Sequence, residues 1–125
     1  MSARLLAIVE GMRVQADDRV LEIGCGHGVA ASFVCERLRS GQLVAIDRSK
    51  KMIAAAIQRN REHVDAGVAE FHVADVMDFD PGRRKFNKIF AVRVGLFHRD
   101  PALARRILEP WLAPRGKIVL AYDEP

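Results

Sequence analysis

The sequence has 125 residues, half of them hydrophobic, which is enough for one core and too few for two, so a single domain over residues 1–125 is expected. Its 20 basic and 16 acidic residues leave a formal net charge of +4 spread over both halves, with no basic arm or acidic tail, and with one Tyr and one Trp it makes a poor stacking platform for single-stranded bases, so nucleic acid is not indicated. Cys25 and Cys35 are the only cysteines, no paired Cys or His spacing suggests a metal, and Leu5 to Val9 is too short for a signal-peptide core or a membrane span, so a reduced, cytoplasmic protein is expected.

Apolar residues at Leu5, Ile8, Val9 and Met12 predict a helix over 3–12. Asp17-Asp18 interrupts that pattern before Val20-Leu21-Glu22-Ile23, which reads as a buried strand. Gly24, Gly26 and Gly28 follow directly, so the strand runs into a loop whose glycines open backbone angles closed to other residues and let a ligand approach the main chain. A tight turn without a ligand is the bland alternative. Val29 to Leu38 places Ala30, Phe33, Val34 and Leu38 on one face of a crossover helix, with Cys35 as a core residue and Cys25 kept small by the loop.

Leu43-Val44-Ala45-Ile46, ending at Asp47, predicts a second strand covered on both faces. Ser49 caps the next helix, whose apolar face is Met52, Ile53, Ala56 and Ile57. Val68 to Val73 gives a third strand leading to Asp75, and Phe86 to Val92 a fourth. Arg83-Arg84-Lys85, with Lys88, follows Pro81-Gly82 and reads as a solvated loop rather than a binding surface. Asp100-Pro101 supplies a cap and a first-turn proline to a helix carrying Leu103, Ile107, Leu108 and Trp111, which Pro110 kinks or ends. Pro114-Arg115-Gly116 then turns the chain into a last strand, Lys117 to Tyr122.

Strands alternating with helices imply an α/β fold with a doubly wound, mainly parallel sheet, in which ligands bind beyond the carboxyl ends of the strands. Asp47 stands at such an end, where a carboxylate can accept from two ribose hydroxyls, although an aspartate there can also serve a helix start.

Glu22 followed by Gly24, Gly26 and Gly28 resembles motif I of the class I S-adenosylmethionine-dependent methyltransferases. The dinucleotide fingerprint would need its third glycine one residue later, where Val29 stands. The resemblance continues through Phe86 to Val92 and Leu112 to Gly116, covering nearly the whole chain. It implies a Rossmann-like sheet of strand order 3-2-1-4-5 and S-adenosylmethionine as cofactor. It further implies Glu22 near the ligand's ammonium end, the loop Gly24, Cys25, Gly26, His27 and Gly28 along the ligand, and Asp47 on its ribose. Arg48 and Met52 would pack on the adenine, Asp75 and the Val76 amide would meet its amino edge, and Arg93 at the end of the fourth strand would complete the set.

Three departures from the family pattern stand out. Asn87 replaces a frequent aspartate, Arg115 replaces a common glycine, and the family's usual further helix and strands six and seven have no counterpart before Pro125. Lys117 to Tyr122 would then be an unprotected edge, which leads us to expect either a homodimer through that region or a fragment of a longer methyltransferase.

Because a sulfonium already makes its methyl group electrophilic, a dedicated base is optional. No Asp/Asn-Pro-Pro-Tyr/Phe motif follows the fourth strand. His98 is the candidate base, or else an ordinary loop histidine. The expected function is methyl transfer to a small-molecule acceptor of unknown identity. The alternative is a noncatalytic S-adenosylmethionine-binding module acting with a partner chain, with a nicotinamide-dependent oxidoreductase third.

Overall fold

Apolar runs covered on both faces become strands here, and stretches of helical period become the layers that cover them. The computed structural model describes residues 2–122. In chain order the elements are α1 (Ser2–Met12), β1 (Arg19–Ile23), α2 (Val29–Arg37), β2 (Gln42–Asp47), α3 (Lys50–Arg59), α4 (Arg61–Asp65), β3 (Ala69–Val73), β4 (Phe86–Val92), α5 (Gly95–Arg99), α6 (Pro101–Leu108) and β5 (Leu112–Ala121). A short 3-10 turn, Glu109–Trp111, joins the last two and contains Pro110, so the proline does end the helix.

The five strands form one sheet of order β3-β2-β1-β4-β5, and every adjacent pair is parallel. All carboxyl ends therefore point the same way, with Ile23 beside Ile46 and Ala91, and Asp47 beside Val73. This is the Rossmann-like arrangement that the resemblance implies.

Period two within the strands divides the core into two layers. Val20, Leu43, Ala45 and Phe90 meet Val9, Met12, Val34 and Ile53 on one face, while Leu21, Ile23, Val44, Ile46 and Ile89 meet Phe97, Ala104 and Leu108 on the other. Each Val, Leu, Ile, Met or Phe among them contributes about 1.5–3 kcal/mol by leaving water, so the sheet's position is set by both layers together.

Local chemistry starts the helices where expected. Ser49 Oγ accepts from Met52 N at 3.1 Å, and Asp100 Oδ1 accepts from Leu103 N at 3.0 Å with Pro101 in the first turn. Three features differ in detail. In α2 the buried face is Ala30, Ala31, Val34 and Cys35, while Phe33 is half-buried. The five-residue α4 and α5 do not appear in the sequence reading, because an element of that length shows too few turns to display a period. Finally, β5 begins pairing at Leu112 beside Phe86, loses register through 113–116, and resumes at Lys117 beside Lys88. The expected turn is thus a bulge inside the strand, and Arg115 lies in it at φ 66°.

The amino ends of the strands are pinned by polar contacts. Lys88 Nζ donates to Asp18 Oδ2 at 2.8 Å, and Asn87 Oδ1 accepts from Arg19 N at 2.7 Å. The departure at Asn87 is therefore structural, at the end of the sheet opposite the glycine loop.

Candidate functional site

The glycine loop leaves β1 at its carboxyl end and is folded onto β2. The amides of Gly24 and Cys25 both donate to Ile46 O, at 2.8 and 3.0 Å, and the Gly26 amide donates to Asp47 Oδ2 at 2.9 Å. The Gly28 amide donates to Cys25 O at 3.1 Å. Gly28 also needs to lack a side chain, since a Cβ there would stand 2.7 Å from Asn60 Nδ2 and 3.0 Å from the Ala56 backbone. A Cβ on Gly26 would meet nothing within 4 Å, so the loop presents open space on that side.

Asn60 is the residue that sequence reasoning missed. Its buried side chain donates to Gly28 O at 3.1 Å and to Ala56 O at 3.0 Å, and accepts from Ser32 Oγ at 2.7 Å. It ties the loop to both flanking helices. A polar residue at the end of a helical period gave no local sign of that burial.

Two cavities meet at this loop. The smaller, about 200 Å³, is lined by Glu22, Gly24 to His27 and the start of α2; the larger, about 380 Å³, by Asp47, Arg48, Asp75, Val76 and the turn after β4. Gly24 and Arg93 line both. Arg93 holds φ 59° there, a left-handed conformation disfavoured for a side-chain-bearing residue, with its amide donating to Ala121 O at 2.8 Å.

The electrostatics of the pair are set by carboxylates. Glu22 is 3% exposed, its Oε1 has no hydrogen-bond partner, and burial, with the Asp47 charge second, pushes its carboxyl up to about 8. Burial, then the Glu22 and Asp47 charges, also drives the Cys25 thiol upward, so it stays protonated and is no nucleophile. Asp47 divides its oxygens between Gly26 N and Ser49 N, the latter also at 2.9 Å. Asp75 Oδ1 accepts from Met77 N at 2.9 Å, and Arg48, largely exposed, lies 4.0 Å from its other oxygen.

The sequence-derived set therefore converges at these cavities, with three exceptions, of which Gly28 lies behind the loop against Asn60 and Ala56 and lines neither. Met52 stands on the exposed first turn of α3, 37% accessible, and lines neither cavity. His98 lines an adjoining and larger space of about 530 Å³ between α5, α6 and β5, which shares Val94 with the Asp47 cavity and in which its ring stacks on Tyr122 at 4.1 Å. That space contains none of the loop residues, whereas Leu96 and Arg99 of α5, which the sequence did not single out, do line the site.

The arrangement discriminates between ligands. A diphosphate needs free amides and positive charge, and here the amides of Gly24, Cys25, Gly26 and Gly28 are already given to protein acceptors while Glu22 and Asp47 stand beside them. The family described as "Methyltransferase domain" matches residues 20–116. The chain belongs to that family.

Within this methyltransferase family, the chain is 28% identical over 116 residues to the Bacillus subtilis (strain 168) protein named as methyltransferase YrhH, covering 93% of this chain and 63% of the relative. It is 32% identical over 114 residues to phosphoethanolamine N-methyltransferase 1 of Arabidopsis thaliana, covering 90% of this chain and 22% of the relative. It thus spans less than two thirds of the length of these curated relatives. Among solved structures, it superimposes with TM-score 0.80 and 20% identity on coclaurine N-methyltransferase bound to N-methylheliamine and SAH, over 94% of this chain and 34% of that one. A methyltransferase from Thiobacillus denitrificans in complex with S-adenosylhomocysteine gives TM-score 0.79 and 21% identity, over 96% and 48%. These likenesses establish the shared fold.

Proposed function

We propose that this chain is a methyltransferase domain that binds S-adenosylmethionine across the two cavities meeting at Gly24 and Arg93 and passes its methyl group to a small-molecule acceptor. The observation that carries this reading is the donor set of the loop. Four of its amides, those of Gly24, Cys25, Gly26 and Gly28, are taken by Ile46 O, Asp47 and Cys25 O, and a buried carboxyl whose Oε1 has no partner lines the smaller cavity. Such a site offers a diphosphate few free amides and suits a nucleoside carrying an ammonium group.

In this reading Glu22 meets the ammonium, and Gly26 leaves room for the chain of the ligand beside Cys25, His27 and Gly28. Asp47 keeps lone pairs for two ribose hydroxyls, and Asp75 with the Val76 amide reads the adenine edge. Arg48 closes over the base, Met52 contributes only by rearranging, and Arg93 holds the junction. When bound, the cofactor supplies an electrophilic methyl that an acceptor nucleophile takes by in-line displacement. The residues' work is therefore to orient and to exclude water. His98 is the candidate base for an acceptor arriving from the largest cavity.

Two relatives named as N-methyltransferases of small molecules support the acceptor class. The second reading is a noncatalytic S-adenosylmethionine-binding module acting with a partner chain, and one neighbour, the [4+2]-cyclase SpnF at 26% identity and TM-score 0.76, is an instance of this fold doing work other than methyl transfer. We further propose a single cofactor-binding domain working in the cytoplasm, its two cysteines free and buried, and a homodimer through β5. No helix among the described residues is long and apolar enough to cross a membrane.

Calorimetry with S-adenosylhomocysteine against NAD tests the cofactor. Saturable binding of the first and none of the second is expected, and no binding of S-adenosylhomocysteine at millimolar concentration by folded protein overturns the reading. Turnover of S-adenosylmethionine with candidate amines then separates the enzyme from the binding module.

A further inference from the structure

Glu22 is a carboxyl group at the foot of a binding cavity with one oxygen unsatisfied. A buried ionised carboxylate with one oxygen unpartnered is expensive, so the group has reason to stay neutral until a cation reaches it. The surroundings supply little to offset a charge. Asp47, from β2, adds a like charge, and the Cys25 and Cys35 thiols facing it are themselves pushed up by burial, Cys35 to about 12. His27 and Arg93 line the same cavity, both with exposed side chains, and the rest of the wall is Leu5, Val29, Ala30 and Val92.

We infer that Glu22 holds a proton in the unliganded protein and gives it to solvent when a ligand's ammonium enters the cavity, so that recognition of the amino-acid end of the ligand is coupled to release of one proton. The carboxyl then accepts from the ammonium as an ionised group, forming a charge-assisted contact in place of a neutral one. The coupling makes Glu22 a specificity-determining residue: ligands lacking the amine cannot drive the ionisation. It also makes affinity depend on pH in one direction. With its carboxyl near 8 in the empty site, affinity for an ammonium-bearing ligand rises about tenfold per pH unit from 6 toward 8 and levels off above, while affinity for an amine-free ligand stays flat.

This inference rests on the cofactor site proposed above, and one experiment distinguishes the failure of either. Calorimetric titration of the protein at pH 7 in buffers of different ionisation enthalpy counts protons released per ligand bound. S-adenosylhomocysteine should release about 0.9 proton, the occupancy expected of a group titrating near 8, and methylthioadenosine, which lacks the amino-acid end, none. In Glu22→Gln both ligands should release none, and the pH dependence of S-adenosylhomocysteine affinity should disappear. Binding of S-adenosylhomocysteine with no proton release, or with equal release in Glu22→Gln, overturns the inference while leaving the site intact. Equal release by both ligands overturns it without requiring any variant to fold. No binding of either ligand overturns the inference and the cofactor reading together.

Discussion

Glu22 makes the empty protein lose stability as pH rises from about 4.5 to about 8. Its carboxyl stands near 8 in the fold against an ordinary 4.5, mainly because it is buried. Between those two values the folded chain keeps a proton that the unfolded chain gives up, so stability falls as pH rises, by up to about 1.4 kcal/mol per unit. Below about 4.5 both states hold the proton, and above 8 neither does. Glu22→Gln should therefore raise the melting temperature of unliganded protein by an amount that grows from pH 5 to pH 8 and is constant beyond. Thermal unfolding across that range checks it, and parallel profiles for the two proteins would show an ordinary carboxylate at this position. The site was legible in Glu22, Asp47 and Asp75 as residues at successive strand ends; that burial pushes the carboxyl of one of them upward was not, because burial is a property of the assembled layers. Asp47 acts differently. It accepts from Gly26 N and Ser49 N and should also meet the ligand, so Asp47→Ala should weaken S-adenosylhomocysteine binding by roughly 1.5–3 kcal/mol and lower stability by about 1 kcal/mol for each amide it orphans. Asp65, whose partner Arg61 lies 3.8 Å away on an exposed helix face, is the control. Equal affinities of Asp47→Ala and Asp65→Ala in calorimetry would reduce Asp47 to a loop brace.

At the level of elements, legibility followed length and chemistry. The strands were readable because both of their faces are covered, and α3 and α6 because Ser49 and Asp100 cap them with side chains suited to nothing else there. The lock that Asn60 forms between α2, α3 and the loop joins residues far apart in sequence and has no periodic signature. The bulge in β5 is an intermediate case. Its turn residues were plain, and so was the oddity of Arg115, but only the backbone shows why a glycine is common there: the position requires φ 66°. A left-handed residue with a Cβ costs about 1–2 kcal/mol, part of which glycine returns through its looser unfolded chain. Arg115→Gly should consequently stabilise the fold by about 0.5–1 kcal/mol, seen as a melting temperature a few degrees higher, with ligand affinity unchanged. Arg93→Gly relieves a similar strain at φ 59° but removes a side chain that lines both cavities. It should lose affinity where Arg115→Gly does not, and equal affinities of the two variants would mean that neither strained position is tied to the site.

Among the described residues the sheet has two edges, and they are finished differently. β3 is short and carries Glu70 and His72, with Arg84 bound to Glu70 at 3.0 Å, which blunts pairing with another chain through charge. β5 is ten residues long and pairs only with β4 among the described residues. Its Val119 packs toward the α1–α2 layer and its Ile118 and Leu120 toward the α6 layer, all three half-buried. The largest cavity lies against the same strand, with Ile118, Leu120 and Phe97 in its wall. Half-covered apolar side chains on both faces of an open edge favour continuation of the sheet by a neighbour, and a second copy can supply it with two-fold symmetry. Interfaces of this kind need roughly 1,200–2,000 Å² in total to be stable, so the contact must include the layers beside the strand as well as its backbone. Light scattering over a dilution series should therefore show a mass that falls from dimer toward monomer, and Val119→Lys or Leu120→Lys, one on each face, should each hold the protein monomeric while S-adenosylhomocysteine binding persists. Retained binding certifies that the variants are folded, since the glycine loop lies at the other side of β4. A wild-type protein that is monomeric at the highest concentration refutes the self-association, and two lysine variants that remain dimeric exclude β5 as its place.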